Sequence, residues 1–368
     1  MSDPLSKLLE QKKKNFLLLD GGKTCFCSFC AIVWQGLATH LEEKGFDISG
    51  SLWASKLLLT NPDAIVQAHL DYLRVVHIKP IVEALQKFFF FLPQKRIKYF
   101  QSKKKTLQLC VGCNIKFGLS EKEGYAKISE SVELAQKAID HFGKEGNKHS
   151  KEVIIAGSVG CYGATLHDGS EYTGIYDITE ESKFDFLKAF HKPRMQALLR
   201  AKRGNDIVIA CETVPLQIEI LAMCACLDEL QCYGWISMCC RNDSELCSGE
   251  KLCDVVPYLL KSQYCIGIGI NCLDPVYVTA LLDTIQSQIR GQPKRMLLIA
   301  YPNKGEKWDD QTRQWIPGTK MSDAEFTLLA KEWVQHGAQI IGGCCRTNPQ
   351  TIATISKLVR HHFPLAKL

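Results

Sequence analysis

Three cysteines stand where they could hold a metal. Cys272 closes the run Gly-Ile-Asn-Cys, and Cys344 with Cys345 closes Gly-Gly-Cys-Cys. Three thiolates on Zn²⁺ leave one corner of a tetrahedron open, which separates catalytic zinc sites from closed structural ones. Neighbouring residues of a regular strand point to opposite faces, so Cys344 and Cys345 can share an ion only if the chain bends. Gly342-Gly343 would permit that bend. The same thiols also read as buried small hydrophobes, and Cys239-Cys240 is a second adjacent pair in this chain. A redox Cys344–Cys345 disulfide is another reading. Cys27-x-x-Cys30 and Cys110-x-x-Cys113 form a rival metal set, but the gap between the pairs far exceeds the ~15–20 residues of a zinc ribbon. Two carboxylates, Asp20 in Leu-Asp-Gly-Gly and Glu212 in Ala-Cys-Glu-Thr, each follow an apolar run. At the end of a strand such a group can hold an ammonium ion or act as a base. Otherwise they are a turn aspartate and a helix-capping glutamate.

The elements that must position these groups alternate. Ile128, Val132, Ala135 and Ile139 recur at helical spacing. Strands are expected at Phe16–Leu19, Val153–Ala156, Ile207–Ala210, Trp235–Met238, Ile266–Ile270, Met296–Ala300 and Gln339–Ile341. Helical patterns follow at Leu37–Lys44, Leu216–Leu230, Pro275–Ile289, Ser322–His336 and Pro349–His362. Continuously apolar strands between helices call for a parallel sheet covered on both faces. A doubly wound sheet and a (β/α)8 TIM-type barrel both fit. The barrel is favoured because its strand ends converge on one mouth, which would gather the cysteines and carboxylates. Its eighth strand has room only between Leu73 and Lys122.

Composition narrows the class. The 368 residues are 46% hydrophobic and 23% charged, an ordinary globular balance. A net charge of +6 is too mild to announce a nucleic-acid binder, and no apolar run approaches the ~18 residues of a membrane span. The lysine-rich start lacks the apolar core of a secretory signal, so the 18 cysteines are expected to be reduced in a cytoplasmic protein. The run Phe88–Phe91 with Lys95, Arg96, Lys98 and Lys103–Lys105 reads as a basic loop.

Taken in order, the motifs resemble the homocysteine S-methyltransferase family. They are Asp20-Gly21-Gly22, Leu37-Ala38-Thr39, Leu52-Trp53-Ala54, Ala156–Gly160, Asp168–Tyr172, Cys211–Pro215, Gly-Ile-Asn-Cys272, Tyr301-Pro302-Asn303 and Gly-Gly-Cys344-Cys345. The resemblance implies one homocysteine-binding (β/α)8 barrel over residues 1–368 and zinc on Cys272, Cys344 and Cys345. It implies homocysteine and a sulfonium donor, S-methylmethionine or S-adenosylmethionine, as partners, with neither nucleic acid nor membrane. By the same resemblance Asp20 and Glu212 hold the homocysteine ammonium, and Asn271 shapes the floor beside the metal. Against the family pattern, Lys23–Gln35 is inserted ahead of Leu37, and about 75–117 carries no family motif. The first is expected to be an exposed loop, and the second to distort strand two, with residues 84–105 packing poorly. The alternative to an active methyltransferase is a barrel that binds zinc or homocysteine without turnover.

Overall fold

The structure, a computed structural model, describes residues 31–34, 36–47, 56–76, 119–147, 150, 153, 155–166, 168–201, 207–306, 308–309, 314–316 and 318–362. Seven parallel strands make its sheet: β1 (Ala31–Trp34), β2 (Ile155–Gly160), β3 (Ile207–Val214), β4 (Gly234–Met238), β5 (Cys265–Asn271), β6 (Leu297–Tyr301) and β9 (Ile340–Gly343). They are ordered β1-β9-β6-β5-β4-β3-β2. A small antiparallel hairpin, β7 (Trp308–Asp309) and β8 (Gln314–Trp315), lies between β6 and β9 in the chain.

The helices follow chain order: α1 (Leu37–Glu43), α2 (Leu57–Thr60), α3 (Pro62–Val75), α4 (Glu121–Lys144), α5 (Glu180–Arg200), α6 (Gln217–Leu230), α7 (Leu252–Lys261), α8 (Val278–Ile289), α9 (Asp323–Gln335) and α10 (Pro349–His362). Local chemistry starts several of them. Ser120 and Glu123 close a capping box on α4, and Ser322 with Glu325 does the same for α9, each satisfying two otherwise unpaired backbone donors. Asn61 accepts from Ala64 N ahead of Pro62 in α3. On α4 the expected stripe forms, with Val132 and Ile139 buried and Ile128 and Ala135 packed against the core. No helix among the described residues is long and apolar enough to cross a membrane.

Every residue of β4, β5 and β6 is buried, as parallel strands covered on both faces require. Alternate side chains divide between two cores. Ile209, Ile236, Ile268 and Leu298 pack with the helices. Val208, Trp235, Leu297, Ile299 and Tyr301 meet in a second cluster on the other face. The period-two alternation of a strand makes that division unavoidable.

One expectation needs correction. Lys23–Gln35 is not an exposed loop throughout, because Ala31–Trp34 is β1 and pairs residue for residue with β9, from Ala31 opposite Ile340 to Trp34 opposite Gly343. A short run of alanine, β-branched and aromatic residues immediately before Gly36 and α1 satisfies its backbone groups best by joining the open edge of β9. The strand expected at Phe16–Leu19 lies outside the described residues. So do Asp20, Cys27, Cys30, Cys110, Cys113 and nearly all of the motif-free stretch after Val76 that was expected to hold an eighth strand. Among the described residues, β1 and β2 are the sheet's edges.

Candidate metal centre

Cys272 directly follows β5, and Cys344 and Cys345 follow β9, so two non-adjacent parallel strands deliver all three thiols to the same end of the sheet. The three sulfurs lie within 4.8 Å of one another. Cys272 Sγ is 3.9 Å from Cys345 Sγ, which is 4.0 Å from Cys344 Sγ. Sulfurs about 2.3 Å from one tetrahedral zinc would sit about 3.8 Å apart, so the donor set matches that ion in chemistry and in spacing. Hydrogen bonding from Cys344 and Cys345 pulls the Cys272 thiol well below its usual pKa, while those two thiols are pushed up. A cluster that already favours a thiolate is a ready cation site.

The bend that brings Cys344 and Cys345 together is built differently from the sequence expectation. Neither Gly342 nor Gly343 is among the residues with positive φ; the left-handed residue of this turn is Arg346, at φ 66°. Gly343 is needed for space, since a Cβ there would lie 2.4 Å from Thr347 Cγ2. Thr347 Oγ1 in turn donates to Cys344 O at 2.7 Å. Cys344 N donates to Pro302 O (2.9 Å) and Cys345 N to Asn303 Oδ1 (3.2 Å), so Tyr301-Pro302-Asn303 is the seat of the turn. From α1, Thr39 Oγ1 receives Arg346 N at 3.1 Å, and Arg346 pairs with Glu42 and Glu306. The Leu-Ala-Thr motif therefore braces the cysteine turn from the helix that follows β1, the strand beside β9.

Cys272 has φ 58° and Thr213, at the end of β3, has φ 59°. Left-handed backbone at a β-carbon-bearing residue costs on the order of 1–3 kcal/mol and persists only where surroundings enforce it. Asn271, fully buried, does the enforcing: its Oδ1 accepts from Thr213 N (2.8 Å) and its Nδ2 donates to Thr213 Oγ1 (2.9 Å). It spends its side chain on tying β5 to β3.

Glu212 is buried one residue earlier on β3. Ser158 Oγ donates to one carboxylate oxygen at 2.5 Å and Tyr301 OH to the other at 3.0 Å. Tyr301 OH also lies 2.7 Å from Ser237 Oγ and receives Trp235 Nε1–H at 3.2 Å. Burial pushes the Glu212 carboxyl up to about 7, the Ser158 and Tyr301 hydroxyls pull it back, and negative charge at Cys272 adds to the rise. A carboxylate so desolvated gains by pairing with an incoming cation.

Tyr172 completes the centre. Its hydroxyl is 3.1 Å from Cys272 Sγ although 43% of the residue remains exposed. It ends a 3-10 turn, Ser170–Tyr172, that packs on the turn Gly163–Thr165; a Cβ on Gly163 would lie 2.6 Å from Glu171 N. Both ends of this loop are clamped by Glu219 of α6, wholly buried, which accepts from Tyr162 N (2.6 Å), Tyr176 OH (2.6 Å) and His191 Nε2 (2.8 Å). Burial keeps the His191 imidazole below its usual pKa, so the neutral ring donates through Nε2. Sequence reading assigned no role to Tyr172, Tyr301 or Ser158, although all three lie inside quoted motifs.

The homocysteine S-methyltransferase family model matches residues 101–359. Homocysteine S-methyltransferase 1 of Zea mays is 34% identical over 339 residues, 90% of this chain and 94% of the relative. Homocysteine S-methyltransferase YbgG of Bacillus subtilis is 34% identical over 333 residues, 89% and 94%. The crystal structure of the homocysteine methyltransferase MmuM from Escherichia coli in its metallated form aligns with a TM-score of 0.68 and 30% identity, over 97% of this chain and 100% of that one. With a three-sulfur cluster at the strand ends and likeness over nearly its whole length, the chain belongs to the homocysteine S-methyltransferase family.

Proposed function

We propose that Cys272, Cys344 and Cys345 hold Zn²⁺ and that the chain moves a methyl group from a sulfonium donor, S-methylmethionine or S-adenosylmethionine, to homocysteine, yielding methionine. The observation that carries this reading is the meeting of three thiols from β5 and β9 at zinc spacing. When bound, zinc supplies the Lewis acidity that lets a thiol such as that of homocysteine lose its proton near neutral pH. Three cysteine thiolates with a divalent ion sum to −1, so an added sulfur nucleophile stays electron-rich.

The rest falls to the protein. Glu212, buried and pre-oriented by Ser158 and Tyr301, receives the homocysteine ammonium. Asp20, outside the described residues, is the second carboxylate that the family pattern assigns to that ammonium. Asn271 fixes the strand ends between carboxylate and thiols. As the new S–CH₃ bond forms, the sulfonium's S–CH₃ bond breaks and its electron pair stays on a neutral thioether. Because that leaving group needs no proton, the catalytic task is alignment, which can lower a barrier by ~7–11 kcal/mol at best. The (β/α)8 barrel is part of the same proposal, since closure would bring all the strand ends to one mouth.

The test is metal analysis of the purified protein with an assay for methionine from homocysteine and S-methylmethionine. We expect about one zinc per chain, turnover, and loss of both in Cys344→Ala. Full zinc in that variant would overturn the assignment.

A further inference from the structure

We propose that Glu171 and Tyr172 form the methyl-donor subsite, taking a substrate whose reacting sulfur carries a positive charge. The inference rests on the methyltransferase reading above and adds which residues recognise the donor. Tyr172 OH touches Cys272 Sγ at 3.1 Å, yet 43% of the residue is exposed. A residue with its hydroxyl on the sulfur cluster and much of its surface open offers a π surface beside the nucleophile's position. A cation over such a ring is attracted by its quadrupole.

Glu171 brings the second observation. Its Oε2 is buried and accepts no hydrogen bond from any described residue. Burial pushes its carboxyl above the usual range and its own backbone N–H pulls it back, and its neighbour Tyr172 places this turn at the sulfur cluster. A desolvated acceptor with no protein donor is costly unless something else supplies the donor or the charge. A sulfonium amino acid supplies both, a fixed positive sulfur and an ammonium group. Local hydrogen bonds hold the pair in place: Ser170 N and Oγ cap onto Asp168, Gly174 N returns to Ser170 O at 2.8 Å, and Glu219 anchors the loop at Tyr162 and Tyr176. Glu212 lies on β3 and serves the acceptor, whereas Glu171 and Tyr172 come from the loop after β2. The two substrates thus approach the thiols from different elements.

The experiment compares zinc-loaded wild type with Glu171→Gln, Tyr172→Leu and Tyr172→Phe. Steady-state constants are taken for homocysteine and, in separate arms, for S-methylmethionine and S-adenosylmethionine. Calorimetry without homocysteine compares binding of S-methylmethionine with that of methionine, its neutral-sulfur counterpart. Expected is a rise of about tenfold in donor KM for Glu171→Gln and Tyr172→Leu, with homocysteine KM within about twofold and the preference for the sulfonium over methionine lost. Tyr172→Phe, which keeps the ring, should retain that preference. The arm with the larger kcat/KM identifies the donor. Unchanged donor KM in both Glu171→Gln and Tyr172→Leu, or an equal rise in homocysteine KM, overturns the proposal. Wild type that makes methionine from betaine or a methylfolate but from neither sulfonium overturns the donor reading beneath it.

Discussion

Exchanging Glu212 for Gln removes one buried negative charge and keeps the side chain's shape. The Glu212 carboxyl titrates near 7 in the folded protein against 4.5 for the free group, chiefly because burial penalises its ionised form. The folded state therefore binds this proton more tightly than the unfolded chain. The associated stability is present in full below pH 4.5 and drains away as pH rises through the folded value. By pH 8 the loss is complete and amounts to about 3 kcal/mol. Glutamine carries no such penalty. One of its two oxygens becomes an amide donor, so Ser158 must reverse its hydroxyl, which offsets about 1 kcal/mol of the gain. Glu212→Gln should thus be more stable than wild type by about 2 kcal/mol at pH 8 and nearly equal to it at pH 5. Urea melts of metal-stripped protein at both pH values would read this out, stripping being necessary because bound metal adds its own stability. The same variant should raise homocysteine KM about ten- to hundredfold, the loss of a charge-assisted hydrogen bond. A midpoint at pH 8 no higher than wild type would refute the claim that desolvation dominates at this carboxyl. An unchanged homocysteine KM would refute its role as the ammonium's partner.

Other perturbations test the scaffold. Gly343→Ala places a methyl 2.4 Å from Thr347 Cγ2 and should cost about 1–3 kcal/mol while weakening zinc retention against a chelator, measured by competition. Wild-type zinc affinity there would show that the turn yields freely. Glu219→Ala orphans Tyr162 N, Tyr176 OH and His191 together and should cost about 3–5 kcal/mol. Limited proteolysis would then cut first within residues 163–178; a cut elsewhere would argue against the clamp. Tyr301→Phe removes one of the hydroxyls that pull the Glu212 carboxyl down, so the pH at which homocysteine binding is half-maximal should rise by about one unit or more. A pH profile identical to wild type would exclude that coupling.

Much of the architecture was open to sequence reading because strands and helices announce themselves locally. The run Ile266–Ile270 became β5 of Cys265–Asn271, and Ser322–His336 became α9 with its Ser322/Glu325 capping box. Ala31–Trp34 was read as part of an exposed loop for a related reason. It is a short apolar run inside a segment that interrupts the family pattern, and only pairing with β9, more than 300 residues away, makes it a strand. Gly343 was read as a source of conformational freedom. Its need is a close approach to Thr347, which backbone propensity cannot reveal.

Residue types and their order alone determined that thiols and a carboxylate would stand at the ends of apolar strands, because chain periodicity and strand termination are local properties. Tertiary structure alone decided that Cys272 and Cys345, 73 residues apart, come within 3.9 Å. It also decided that Glu212 is held by Ser158 and Tyr301 from two other strands, and that Tyr172 reaches the sulfurs from a loop a hundred residues upstream. Those distances follow from sheet register and from left-handed turns at Thr213, Cys272 and Arg346. Register is a relation between strands, and no single segment of the chain contains it.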